Sequence, residues 1–193
     1  METIKIKHRE FEIIETVSDN SFIALRKNKK FFVRKFKPYE QEGKELMYAL
    51  DKIKTSGVSA PKLFWIDKKL GYAVCEYLEG QLMSDYLSKN DMNDSLFEQL
   101  FKNAYFAKLS HMTLSYEPDK WMLVNGTLFY IYPVFIIYKK EKDLAERYIR
   151  LWFNTTELFE FLKQKGIFYD KKRIKNEYAT NKEIVLTTCK YYR

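Results

Sequence analysis

Residues 115–120 place several reactive side chains close together. Around Pro118 stand a hydroxyl, two carboxylates and an ammonium group, from Ser115, Glu117, Asp119 and Lys120. Carboxylate oxygens are the ligands that magnesium requires. The lysine could pair with either acid or contact a phosphate directly. The segment therefore predicts either a displaced metal or phosphate site or, more simply, a loop whose charges face water.

The elements around this segment follow from hydrophobic patterning. Asn125-Gly126 lies between apolar residues 123–124 and 128–131, which is a strong hairpin signal. Five earlier segments are rich in Phe, Ile and Val and are predicted as strands: residues 11–17, 21–25, 31–36, 62–66 and 72–77. The apolar spacing predicts helices at residues 39–54, 94–112, 144–152, 156–165 and from about 170 to 192. This order predicts an α+β protein.

Residues 114–135 resemble the catalytic segment of the protein-kinase-like and aminoglycoside-phosphotransferase-like superfamily. There an Asp-x-x-Pro-x-Asn run and a short hairpin precede an Ile-Asp pair. With Pro118 aligned, Ser115 stands at the catalytic Asp and Lys120 at the metal-binding Asn. Tyr132 then replaces the magnesium carboxylate. The resemblance implies a kinase frame whose catalytic and metal-binding positions are lost, with Glu117 and Asp119 as the remaining candidate carboxylates.

A second resemblance lies at residues 32–35, which are similar to the third-strand kinase motif whose Lys contacts the α- and β-phosphates of ATP. Lys35 fits that role if Val33 also faces the cleft, because residues two apart on a strand share a face. The resemblance places the ion-pair partner of this lysine on the next helix, at Glu45 rather than Glu42.

Residues 72–87 are similar to the last N-lobe strand, the hinge and the next helix of the same superfamily. There the backbone after a Glu-Tyr pair bonds the adenine edge, which implies Glu76 and Leu78 as nucleotide contacts. One feature departs from the pattern. The turn at residues 17–22 contains no glycine and carries Asp19, whereas a kinase phosphate loop needs glycine for close approach to phosphate.

The resemblance implies one two-lobed, protein-kinase-like domain over residues 1–193. Residues 1–79 are expected to form an N-lobe with a five-stranded antiparallel sheet and one helix. Residues 80–193 are expected to form an abbreviated, mainly helical C-lobe. ATP is a candidate cofactor, and the replaced ligands argue against magnesium.

Three functions are compatible with these residues. The leading hypothesis is a pseudokinase that acts by binding a protein partner and, as a further option, a nucleotide. The second is an atypical ATP-dependent phosphotransferase that uses Glu117 or Asp119. The third is a basic nucleic-acid-binding module, since residues 139–193 hold 14 Lys or Arg against 8 Asp or Glu and basic residues interleaved with tyrosines suit phosphate backbones and bases.

Composition sets the outer limits. The chain has 193 residues, 17% aromatic residues and a net charge of +8, which predicts a packed globule with a basic, mixed surface. Cys75 and Cys189 are far apart and have no metal-ligand spacing. We expect free thiols, a cytoplasmic location and no membrane span, because the longest apolar stretch is too short to cross a bilayer.

Overall fold

A six-stranded antiparallel sheet, the first sheet, dominates the first part of the chain. We describe residues 2–134 and 136–192 in a computed structural model. Met1, Phe135 and Arg193 lie outside the described residues. Met1 is the first residue of the predicted N-lobe, Phe135 the last residue of the 114–135 segment and Arg193 the last residue of the basic region. The strand order is β1-β2-β3-β4-β6-β5. The strands are β1 Thr3–Ile6, β2 Arg9–Ser18, β3 Ser21–Arg26, β4 Lys29–Lys35, β5 Leu63–Asp67 and β6 Tyr72–Glu76.

The α+β class is confirmed, but the prediction of five strands in this sheet is wrong. β1 is the additional strand, and its Ile4 pairs with Phe11 of β2. The turn between them, Lys7-His8, has positive φ angles of 45° and 63° although neither residue is the Gly or Asn that marks such turns. The Lys7 amide donates to the buried Asp67 carboxylate at 3.2 Å, which fixes this turn against the β5–β6 connection.

The two faces of the first sheet have different partners. On one face the sheet curls over its own apolar core, where Phe11, Val33 and Val74 are fully buried and the Phe11 and Phe31 rings meet edge to face at 5.6 Å. The helix α1, Gln41–Ser56, lies on the opposite face. It ends at Gly57, as predicted, with the left-handed φ of 85° that favours glycine at a helix C-terminus.

The rest of the chain is mostly helical, with two small antiparallel sheets. The helices are α2 Met83–Leu87, α3 Asp94–Leu109, α4 Thr156–Gln164 and α5 Glu177–Tyr191. The remaining strands are β7 Gln81–Leu82, β8 Met112–Thr113, β9 Trp121–Val124, β10 Thr127–Tyr130 and β11 Ile136–Ile137. The region predicted as one helix at residues 144–152 is helical but is not an α-helix: Leu144–Tyr148 forms a π-helix and Ile149–Trp152 a 3-10 helix.

A second, aromatic core holds this helical part together. Trp121, Trp152, Tyr116 and Tyr130 are almost completely buried in it. Ile53 at the end of α1 belongs to the same core, so α1 bridges the first sheet and the helical part. Within the described part of the chain, no helix is both long and apolar enough to cross a membrane.

Gly71 and Gly166 offer a matched test of how tightly the β5–β6 turn packs. Both have a φ of 71°, but a Cβ on Gly71 would lie 2.0 Å from the Phe36 carbonyl oxygen, whereas a Cβ on Gly166 would meet nothing within 4 Å. We expect Gly71→Ala to lower the free energy of unfolding by about 1–3 kcal/mol more than Gly166→Ala does, since both share the left-handed backbone cost. Urea denaturation measures the difference, and equal losses would show that the turn relaxes freely.

Candidate functional site

The backbone of the 114–118 segment is fixed by buried aromatic side chains. The Trp121 indole N–H donates to the Ser115 carbonyl at 3.0 Å, and the Trp152 indole N–H donates to the Tyr116 carbonyl at 2.9 Å. The Ser115 amide donates to the Tyr130 hydroxyl at 3.3 Å. These contacts reach one short segment from three other parts of the chain, so its side chains project from a rigid base.

Ser115 and Glu117 contact each other on this base. The Ser115 hydroxyl donates to the Glu117 carboxylate over a long 3.4 Å. Both side chains are half-buried. A serine in this position cannot take up a proton as a catalytic aspartate does, and Glu117 lies two residues away from the position that the resemblance assigns to the base.

Asp119 is paired with two lysines, and these three residues form the Asp119 cluster. The Lys120 ammonium lies 2.9 Å from the Asp119 carboxylate, and the Lys165 ammonium, just after α4, lies 2.8 Å from it. Burial alone would raise the pKa of Asp119, but the hydrogen bonds from Lys165 and Lys120 outweigh it and lower the pKa. The carboxylate is therefore charged at neutral pH and already has two cations beside it.

Lys120 and Tyr132, the two residues at the implied metal-ligand positions, touch each other. The Lys120 ammonium lies 4.7 Å from the centre of the Tyr132 ring, within range of a cation–π contact. A protein cation therefore lies beside the position where a metal ion would be expected. Among residues 2–134 and 136–192, no three His, Cys, Asp or Glu side chains come together in a way that could hold a metal ion.

On the first sheet, the strand register places Lys35 and Val33 away from α1. In the pairing of β4 with β6, Phe32 lies opposite Cys75 and Arg34 opposite Ala73, and directly paired residues share a face. This face is the one that α1 covers. Val33 instead lies in the sheet core on the other face, and Lys35 is exposed beyond it. Arg34, rather than Lys35, therefore lies on the face of β4 that α1 covers.

Glu45 does not approach either cation. It is exposed, and its carboxylate accepts a hydrogen bond of 2.9 Å from Gln41, one turn earlier in α1. Within the described residues, neither Arg34 nor Lys35 takes part in an ion pair. The α1 residues that line the space between this helix and the sheet, together with Arg34, are Leu46, Leu50, Ile53 and Lys54.

Glu76 and Leu78 lie where the chain passes from the first sheet to the helical part. The Glu76 carboxylate accepts from the Lys62 amide at 3.2 Å, which ties the end of β6 to the start of β5. The chain then runs extended and half-buried through Leu78. At Gly80 it passes so close to β9 that a Cβ there would lie 2.4 Å from the Leu123 carbonyl oxygen.

A cavity of about 470 Å³, the α1 cavity, lies between α1, the first sheet and residues 130–133. Its volume falls within the roughly 300–1,000 Å³ typical of small-molecule pockets. It is lined by Phe32, Arg34, Leu46, Leu50, Ile53, Lys54, Val58, Ala60, Pro61, Lys62, Leu63, Ala73, Cys75, Tyr130, Ile131, Tyr132 and Pro133. Of the predicted site residues that the structure describes, Tyr132 alone is in this lining.

Cys75 is the one thiol in the lining among the described residues, and its environment makes it unreactive. Burial raises the pKa of Cys75 to about 12, against the opposing influence of the Arg34 charge. The thiolate is the nucleophilic form of cysteine, so this thiol has no nucleophilic role at neutral pH. Cys75 therefore gives the α1 cavity no thiolate nucleophile.

A second cavity, of about 410 Å³, lies between α4, α5 and the residues before α4. Its lining mixes acids with bases, and both bases have partners in the chain. Arg150 pairs with Glu157, and Lys175 pairs with Glu183 at 2.9 Å. This cavity therefore offers an anion little uncompensated positive charge.

Sequence reasoning missed two residues of the site. Arg34 lies inside the motif at residues 32–35, but the resemblance implies its lysine, Lys35, and the strand period of two does not say which residues of β4 face α1. Lys165 is separated from Asp119 by the whole region between β9 and α4, and nothing local in the sequence connects them.

The chain matches no model of a known protein family, and none of the curated proteins is similar enough to count as a relative.

The pairing of Lys165 with Asp119 can be tested by its dependence on pH. We expect Lys165→Met, which keeps an apolar stem, to lower the free energy of unfolding at pH 7 by about 0.5–1 kcal/mol. Because the folded pKa of Asp119 is lowered, its contribution is complete above its unfolded pKa. It is lost progressively as pH falls from about 4 through the lower folded pKa, and the difference between variant and parent should shrink over this range.

The measurement is urea denaturation at pH 7 and at pH 3, with Lys163→Met as the matched control. Lys163 is exposed on α4, so its loss should have little effect at either pH. A Lys165→Met deficit that stays constant across this range would mean that the lysine acts through packing rather than through the charge of Asp119.

Proposed function

We propose that this chain is a catalytically degenerate kinase-like protein, a pseudokinase, that acts by binding a protein partner and whose cleft accepts ligand without magnesium. The observation that carries the proposal is the pair of contacts around Lys120. This lysine neutralises Asp119 on one side and lies over the Tyr132 ring on the other. An ammonium group of the chain itself therefore stands where a kinase would bind a metal ion.

Electrostatics make this arrangement hard to reconcile with phosphoryl transfer. Magnesium bridges phosphate oxygens and is held by carboxylates. A magnesium ion bound to Asp119 would lie close to the ammonium groups of Lys120 and Lys165, which both contact the Oδ2 atom of this carboxylate. Catalysis also depends on placement, since a shift of about 1 Å can cost a hundredfold in rate. Glu117 alone does not compensate for the residues that are replaced.

The alternative of an atypical phosphotransferase has less support, because it needs Asp119 or Glu117 free to act. Asp119 has two lysine partners, and Glu117 accepts a hydrogen bond from Ser115. Each of the two carboxylates is therefore already in contact with another side chain of the protein.

Nucleic-acid binding through the basic region also has less support. Many of its cations are paired with acids of the same chain and are less available to phosphate. These pairs are Lys140–Glu146, Arg150–Glu157, Arg173–Asp91, Lys175–Glu183 and Lys190–Asp94. A basic net charge in this region therefore overstates the charge that a phosphate backbone would meet.

The proposal predicts how ATP and magnesium affect thermal stability. A ligand that binds only the folded state raises stability by about 2.7 kcal/mol at a hundredfold excess over its Kd. If the cleft holds nucleotide, millimolar ATP should raise Tm by the same amount with magnesium and with EDTA. No phosphate should be transferred from labelled ATP to water, protein or small acceptors in either condition.

The matched control is the double variant Lys120→Asn, Tyr132→Asp, which restores oxygen ligands at both replaced positions. In this variant magnesium should add to the stabilisation by ATP, which establishes that the assay detects a metal effect. Magnesium-dependent stabilisation of the parent protein together with phosphate transfer would overturn the proposal. The absence of any ATP effect would remove the nucleotide and leave partner binding as the function.

A further inference from the structure

The walls of the α1 cavity are mainly apolar and come from several parts of the chain. Leu46, Leu50 and Ile53 project from α1, and Phe32 and Ala73 face them from the first sheet. Aliphatic and aromatic surface of this kind suits the apolar body of a ligand. Burying apolar surface away from water is favourable by about 25 cal/mol per Å².

The charges in the lining are all of one sign. Arg34, Lys54 and Lys62 line the α1 cavity, and no Asp or Glu is among its lining residues in the part of the chain that the structure describes. Lys54 and Lys62 are exposed, whereas Arg34 is half-buried on β4. A positive potential confined to one concave surface attracts an anion.

Arg34 is the most informative of these cations. Within residues 2–134 and 136–192, its guanidinium makes no ion pair and no hydrogen bond with another residue. A half-buried guanidinium presents up to five N–H donors and binds carboxylate or phosphate with two parallel hydrogen bonds. Its neighbours across the sheet, Ser21 and Ala73, offer no counter-charge.

From these observations we infer that the α1 cavity is a binding site for a small organic anion with an apolar body, such as a medium-chain carboxylate or alkyl phosphate. The head group pairs with Arg34. The apolar body lies between α1 and residues 130–133. This site is distinct from a nucleotide position at Glu76 and Leu78, because neither of these is among the lining residues that the structure describes. The inference goes beyond the proposed function and does not require it.

The lining favours such an amphiphile over ATP itself. An adenine ring needs hydrogen-bond partners for its edge, and a triphosphate needs several donors or a metal ion. The inner walls of the α1 cavity are mostly hydrocarbon with one half-buried cation. One compact anionic group attached to an apolar chain satisfies both parts of the lining.

The experiment is titration calorimetry of the full chain with decanoate, decyl phosphate and decanol, each below its aggregation limit. The three probes share one alkyl chain, so they separate the head group from the apolar body. We expect at least one of the two anions to bind with one-to-one stoichiometry and at least about tenfold more tightly than decanol, as a charge-assisted pair with Arg34 implies. Comparing decanoate with decyl phosphate identifies the preferred head group.

Two variants with matched controls locate the site. Arg34→Gln should weaken binding of the anion by about 10- to 100-fold and leave decanol unchanged, whereas Arg34→Lys, which keeps the charge but not the bidentate geometry, should retain only part of the affinity. The control Lys30→Gln removes a charge from the same strand outside the lining. Leu50→Trp should block all three probes by filling the α1 cavity, while Tyr48→Trp, on the exposed side of α1, should not. Circular dichroism and Tm verify that each variant is folded.

Several results would overturn the inference. One is equal affinity for decanol and both anions, and another is no binding of either anion at millimolar concentration. A third is unchanged affinity in folded Arg34→Gln or Leu50→Trp. Stoichiometric displacement of the bound anion by ATP would assign the α1 cavity to nucleotide instead. Binding of an anion without any effect of ATP would support this inference even if nucleotide binding under the proposed function fails.

Discussion

The alternation of side chains along β4 is the constraint on which the candidate site depends. β4 is a central strand, and both of its neighbours fix its register: Arg34 pairs with Ser21 of β3 and with Ala73 of β6. A slip of one residue would exchange the two faces of the strand. It would bring Val33 and Lys35 under α1 and place Phe32 and Arg34 in the sheet core. Because a buried arginine there would have no partner, this core enforces the observed register.

A second constraint links distant parts of the helical region. Asp119 is mostly buried, and a carboxylate removed from water is stable only when paired. Lys120 is its neighbour in sequence, but Lys165 arrives from the end of α4, so the acid ties the loop before β9 to a helix near the end of the chain. The same pairing holds Lys120 where it meets Tyr132. One lysine therefore takes part both in the ion pairing that connects the loop to α4 and in the contact with the Tyr132 ring.

Local patterns predicted the elements better than their contacts. The Asn125-Gly126 hairpin forms as expected, with φ angles of 48° and 80° and β9 paired with β10, because turn chemistry is contained in two adjacent residues. β1 was missed because its turn has no such signal. The sequence does not determine on which face of β4 Lys35 lies, since residues 31–33 are all apolar and could pack into a core on either face of the strand. The contact of Lys165 with Asp119 depends on the whole fold and has no local signature.

The Asp119 cluster and the α1 cavity differ in how their charges are paired. Both lysines of the cluster contact the Oδ2 atom of Asp119, whereas its Oδ1 atom is buried without a hydrogen-bond partner among the described residues. Arg34 lines an apolar space, and no Asp or Glu is among the described residues of that lining. Since α1 and residues 130–133 form opposite walls of that space, an occupant would contact both the first sheet and the helical part. Ligand binding would then stabilise the position of the first sheet relative to the helical part. The surface that the proposed pseudokinase offers to a protein partner would then depend on whether a small anion is bound.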